Sequence, residues 1–189
     1  NMEKFSREEL ARVFDLKDCS RASARIDWKK LDWLNGQYMK EADDARLAEL
    51  VQPRIEARGG LIENGPDLVQ VCGLLKTRSA TLEALADAAL FFYVEKDADP
   101  EALAAALADG GREALALFGE KMKALDEVTP ENVYHAIQAV MAEREIPMKV
   151  LATPLRVGVC VADRTPQIDR TLCLIGREKV LARIAKALA

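Results

Sequence analysis

Leucine, alanine, valine and isoleucine recur along the chain every three to four positions, and short polar stretches opening on Ser, Thr or Asp divide the runs. That spacing gathers the apolar residues on one side of a helix instead of alternating them across a strand. Ser6-Arg7-Glu8-Glu9 has the form of a capping box, in which a Ser hydroxyl and a Glu three residues on satisfy each other's free backbone N–H groups. It predicts a helix to about residue 14, with Leu10, Val13 and Phe14 on its apolar side. Asp27 caps a second helix, with Leu31, Leu34 and Tyr38 on one face and Trp28 and Trp33 beside it. Both tryptophans are expected to pack into the core. Asp43-Asp44 opens a third helix to about residue 58, stopped by Gly59-Gly60. The acidic pair suits the positive end of the helix dipole and has no other support as a catalytic dyad. After the Gly65-Pro66 turn, residues 67–76 form a helix with Leu68, Val71, Leu74 and Leu75 inward.

Residues 76–81 are a polar joint, from which Thr81 starts a helix ending in Phe91-Phe92-Tyr93. The acidic stretch 94–100 is the best internal boundary. Helices are expected over 101–109 and 112–128, split by Gly110-Gly111, and from Thr129-Pro130 to about residue 144. In the Thr-Pro pair the Thr can accept from a free N–H, and Pro at the first helical position has no N–H to leave unpaired. Ile146-Pro147 is a break. Over residues 148–161 the period is ambiguous: Val157-Gly158-Val159-Cys160-Val161 fits a short buried strand, and Gly158 costs about 1 kcal/mol against Ala in a helix interior. Thr165-Pro166 repeats the start signal. Ile168, Leu172, Ile175, Val180, Leu181 and Ile184 then give the tail an apolar face at helical spacing.

Half of the 189 residues are hydrophobic and only 5% aromatic, with good helix formers between them, so the fold class is all-α with enough apolar residues for a core. The formal net charge of −4 supplies no global field for nucleic acid, so any RNA contact must come from a local basic face. The tail offers one: Arg156, Arg164, Arg170, Arg177, Lys179, Arg183 and Lys186. A basic helical surface carrying a sharp loop can grip a phosphate chain and read a base. Cys19, Cys72, Cys160 and Cys173 show no C-x-x-C spacing; they read as buried, reduced thiols of a cytoplasmic protein, and no metal site is expected. His135, the single histidine, reads as structural. No apolar run reaches the roughly 20 residues a bilayer requires, and no signal peptide is recognisable. Asn1-Met2 reads as a tag residue before an inserted Met, hence as the start of an excised piece.

Catalytic signatures are missing: no Gly-rich phosphate loop, no G-x-S-x-G, no Cys/His pairing. Two segments nevertheless carry a specific resemblance. The run P-L-R-V…D-R-T-P-Q-I-D-R-T-L-C-L-I-G-R-E-K-V-L-A-R-I, beginning at Pro154, resembles the C-terminal end of bacterial glutamyl-tRNA synthetases, within their anticodon-binding region. Residues 26–38, I-D-W-K-K-L-D-W-L-N-G-Q-Y, resemble that family's F-D-x-x-K-L-x-W-L-N-G-x-Y, which follows its catalytic lysine-rich loop. Basic residues before T-L-x-x-L and an aromatic pair at the helix end, over residues 76–93, match a third family feature.

The resemblance implies a helical bundle or cage: the end of a stem-contact domain (residues 1–40), then two anticodon-binding subdomains (41–95 and 96–189). It makes residues 148–161 helical. It implies that Arg78 contacts the third anticodon base and distinguishes C from G, and that Arg156, Thr165, Pro166 and Ile168 surround the anticodon bases. Lys76, Arg164 and Arg170 are then expected on the RNA backbone. One departure stands out: Cys160-Val161 replaces the family's usual Thr-Gly pair. The family's ATP-binding signatures, H-I-G-H-like and K-M-S-K-S-like, are absent, so ATP and Mg belong to a parent catalytic domain and this part, without a cofactor, is expected to be inactive alone. The implied partner is glutamate tRNA, through its anticodon loop and stem; no membrane partner and a monomeric state are expected. A parent that also charges glutamine tRNA is a variant of this reading. The rival of another class is a helical protein-interaction module without RNA binding, which a salt titration separates.

Overall fold

The computed structural model describes residues 4–19, 22–23, 25–161 and 165–189. Among the described residues it is helical, with no strand. The helices are α1 (Arg7–Val13), α2 (Trp28–Glu41), α3 (Asp44–Glu56), α4 (Leu68–Leu75) and α5 (Leu82–Ala89), followed by α6 (Pro100–Leu107), α7 (Gly111–Ala124) and α8 (Pro130–Arg144). The chain ends in α9 (Met148–Pro154), α10 (Ile168–Ile175) and α11 (Arg177–Leu188). Local side chains start most of them. Ser6 and Glu9 close the capping box at 3.1 and 2.7 Å. Asp27, Asp43, Asp67, Thr81 and Thr129 each accept from a first-turn N–H at 2.9–3.2 Å. Asp99 does the same for Ala102 at 2.8 Å, with Pro100 opening α6, so part of the acidic linker is a helix start.

α3, α4 and α5 pack on one another through Val51, Ile55, Val71, Leu75 and Leu85. α7 packs against α8, α9 and α11, and α10 against α8 and α11, burying Leu115, Phe118, Met122, Ile137, Leu151, Leu172 and Val180. α10 also reaches α4, and the buried residues form one continuous cluster. Each such side chain contributes roughly 1.5–3 kcal/mol of burial.

Several expectations are corrected. Trp28 and Trp33 are not core residues: they are 66% and 49% exposed. α1 buries nothing, and Leu10, Val13, Phe14 and Leu31 are exposed with them. Amphipathic spacing marks a face as apolar, but among the described residues no element covers this one. α7 stops at Ala124, short of residue 128, where Leu125 turns extended; Arg177 Nη2 then donates to the Leu125 carbonyl and, at 3.3 Å, to that of Asp126. The Thr165-Pro166 pair does not start α10: the helix begins two residues later, with Gln167 at the cap position and no side-chain bond, while the Thr165 hydroxyl accepts from Arg156. Cys19 is exposed and Cys173 half-buried, unlike the buried Cys72 and Cys160, and His135 lies on the surface.

Residues 148–161 are helical, as the resemblance implies. α9 ends at Pro154 and a wide π turn, Leu155–Cys160, follows. Gly158 is placed there by packing: a Cβ would lie 3.0 Å from Ala187 Cβ and 3.2 Å from Leu103 Cδ1. The turn closes on Val161 at φ 50°, ψ 43°. At the position where the resemblance implies a Gly, this chain has a β-branched residue in a left-handed backbone.

Candidate nucleic-acid interface

The polar joint after α4 is a single 3₁₀ turn, Lys76–Arg78, held from several directions. Ser79, 5% exposed, donates its hydroxyl to Leu75 O at 3.2 Å. Asn35 Nδ2 of α2 donates to Ala80 O, and Gly36 lies beside Ala80, where a Cβ would make an ordinary contact at 3.7 Å from its Cα. The Asn of the L-N-G in the 26–38 signature therefore clips α2 to the joint. Lys76 is drawn inward: Nζ donates to Ala42 O at 2.8 Å and pairs with Asp44 Oδ1 at 2.7 Å, leaving its side chain 18% exposed. Its ammonium holds α3 to the joint instead of facing solvent. Arg78 remains exposed, and its Nη1 donates to Thr165 O at 3.2 Å across 87 residues of chain.

Thr165 is also the partner of Arg156, whose Nε donates to the Thr165 hydroxyl at 3.3 Å. Arg78, Arg156 and Thr165 thus converge, although Arg78 lies on the 3₁₀ turn and Arg156 on the π turn. Thr165 and Ile168 are each 5% exposed and Pro166 is buried, so these three lie beneath the surface that the arginines top. Arg170 is exposed on the first turn of α10. Arg164 lies outside the described residues.

The rest of the tail's positive charge is paired within the fold, with Lys186 doing so at the surface. Arg177 holds Leu125 O, Lys179 donates to Asn64 O, and Arg183 donates to Val159 O at 2.9 Å. Lys186 pairs with Asp97. Hydrogen bonds from a charged donor contribute about 1.5–3 kcal/mol, so these cations fasten α11 to α7, to the Ile62–Asn64 turn and to the π turn. The basic face read from the sequence is largely a set of clasps. Lys179 in particular joins the two halves of the cluster, which no local spacing signals.

Burial pushes the Cys160 thiol up to about 12, against the pull of Arg183 and Arg156, and the Cys72 thiol up to about 11, helped by Asp44 and Asp67. Both are protonated at neutral pH and unsuited to nucleophilic or ligand roles. No cluster of three or more His, Cys, Asp or Glu is placed to hold a metal among the described residues. No helix among them is long and apolar enough to cross a membrane.

The family model for the anticodon binding domain matches residues 46–188. A glutamate–tRNA ligase of Burkholderia mallei (strain SAVP1) is 43% identical over 190 aligned residues, covering 99% of this chain and 40% of the relative. That of Burkholderia thailandensis is 42% identical with the same coverage. The chain thus spans about 40% of the length of these relatives. Among solved structures, a glutamate tRNA ligase from Elizabethkingia meningosepticum matches with a TM-score of 0.80 at 22% identity, covering 97% of this chain and 36% of that one. One from Elizabethkingia anophelis matches at 0.77 and 21%. At that identity the two structures speak for the fold.

Proposed function

The chain belongs to the glutamate–tRNA ligase family through its anticodon binding domain, and on that premise we propose that it binds the anticodon loop and stem of glutamate tRNA. Its work is binding and positioning; joining glutamate to the tRNA falls to a catalytic half with ATP and Mg, outside this chain. In this reading residues 1–40 end a stem-contact domain, and residues 41–95 and 96–189 are the two anticodon-binding subdomains.

The observation that carries the proposal is the meeting of Arg78 and Arg156 at Thr165. An unpaired RNA loop exposes base edges and faces together, the feature proteins read most readily. A guanidinium has five N–H donors and no acceptor. With Nη1 on the Thr165 carbonyl, Arg78 keeps donors free for the third anticodon base, where C and G present different edges. Arg156 uses Nε internally and keeps both Nη groups for a phosphate or a base edge. Pro166 and Ile168 form an apolar floor, and Arg170 supplies a phosphate contact one turn away. Lys76 supports the joint instead of gripping RNA. The protein acts as a monomer on one tRNA.

Arg78→Gln and Arg156→Ala test this. Each should weaken binding of an anticodon stem-loop of glutamate tRNA by about tenfold, the order of one charge-assisted contact. Unchanged affinity in both variants would refute it.

A further inference from the structure

Thr165 is used twice. Its carbonyl accepts from Arg78 and its hydroxyl from Arg156, while its side chain is shut away from solvent. We propose that Thr165 is a positioning residue that makes the two arginines one coupled reader, so that contact at one anticodon position alters the strength of contact at another. The proposal rests on the anticodon reading above and adds the coupling to it.

The reasoning runs through freedom of movement. An arginine on an exposed turn samples many rotamers, and a base must halt that motion when it binds. A guanidinium already tied by one N–H loses less, which is the general benefit of preorganisation. Arg78 is tied only while the Thr165 carbonyl points at it. That residue follows a left-handed Val161 and residues 162–164, and it precedes α10 without capping it. No helical hydrogen bond of its own hydroxyl therefore orients it. The Arg156 Nε–H does so, and a β-branched side chain with few χ1 choices passes the constraint to the backbone. Removing Arg156 leaves a buried hydroxyl without its donor and frees the carbonyl that holds Arg78. Removing Arg78 relaxes the same residue from the other side.

A double-mutant cycle on the full chain reads this directly. Affinity for the glutamate anticodon stem-loop is measured for wild type, Arg78→Gln, Arg156→Gln and the pair, then repeated in Thr165→Val and Thr165→Ser backgrounds. Each stem-loop is also used with C or G at the third anticodon position. The double variant should lose at least about threefold less affinity than the product of the single losses. Thr165→Val should abolish that shortfall and lower the C-over-G preference about threefold, the same order as the coupling; Thr165→Ser, which keeps the hydroxyl, should preserve both. Single losses that multiply, or an unchanged C-over-G preference in Thr165→Val, would overturn the coupling while leaving the anticodon reading intact. Wild-type binding indifferent to both arginines would overturn that reading, and this one with it. Should Thr165→Val unfold, the Arg78–Arg156 cycle alone decides.

Discussion

A side chain's surroundings, more than its type, decide its part in this protein. Seven cations of the tail look alike in sequence, yet Arg177, Lys179 and Arg183 end on main-chain carbonyls and Lys186 on a carboxylate. The partners lie on other elements, so no spacing rule near the cation could reveal them. The caps at Ser6, Asp27, Asp43, Thr81 and Thr129 were legible because a cap and its N–H are three residues apart. Thr165 broke the rule: α10 starts two residues further on, and the hydroxyl meets Arg156 from another turn. Thiols offer a prediction at this scale. Cys160 binds its proton more tightly folded, up to about 12, than in an unfolded chain near 9.0. The stability this represents is whole below the unfolded value and is lost as pH rises from there toward the folded one. Urea unfolding of wild type should therefore weaken between pH 8 and pH 10.5, and Cys160→Ala should flatten that fall. Equal pH slopes in the two proteins would contradict it.

At the scale of elements, the stretch that sequence left undecided shows why. Residues 157–161 carry β-branched residues and a glycine, a local preference that leans toward a strand. Packing overrides it: Gly158 admits α6 and α11, and the π turn after Pro154 keeps the segment helical. The turn ends on Val161, whose left-handed backbone costs an L residue roughly 1–2 kcal/mol. Val161→Gly removes that strain but adds freedom to the unfolded chain worth about 0.4–1 kcal/mol. The expected outcome is a net gain of between about zero and about 1.6 kcal/mol in denaturant unfolding, from the difference of those two effects. A loss of stability would show that residue 161 is relaxed. Tryptophans 28 and 33 teach the converse lesson: the spacing on α2 identifies an apolar face correctly, and burial depends on a neighbour that spacing does not describe.

For the whole molecule, all-α class and helical order were readable from period and caps, whereas the meeting of the 3₁₀ turn with the tail was not. That meeting depends on α10 reaching α4 and on Lys179 clasping the Ile62–Asn64 turn. An acidic protein that binds RNA must do so through a local set of cations, and four of the tail's seven, Arg177, Lys179, Arg183 and Lys186, already have partners within the fold. Arg78 and Arg170 are exposed and Arg156 is half-buried; with these three as the cations proposed to meet RNA, the electrostatic contribution to binding is limited. The decisive measurement is the affinity of this chain for the glutamate anticodon stem-loop across a salt series. Three phosphate-scale contacts on single-stranded RNA give a slope of log affinity against log salt of about −2, or roughly a 16-fold loss from 50 to 200 mM. Replacing Arg170 with Gln should make the slope shallower by about 0.7. A salt-independent affinity, or no affinity at 50 mM salt, would contradict the assignment of this surface to RNA.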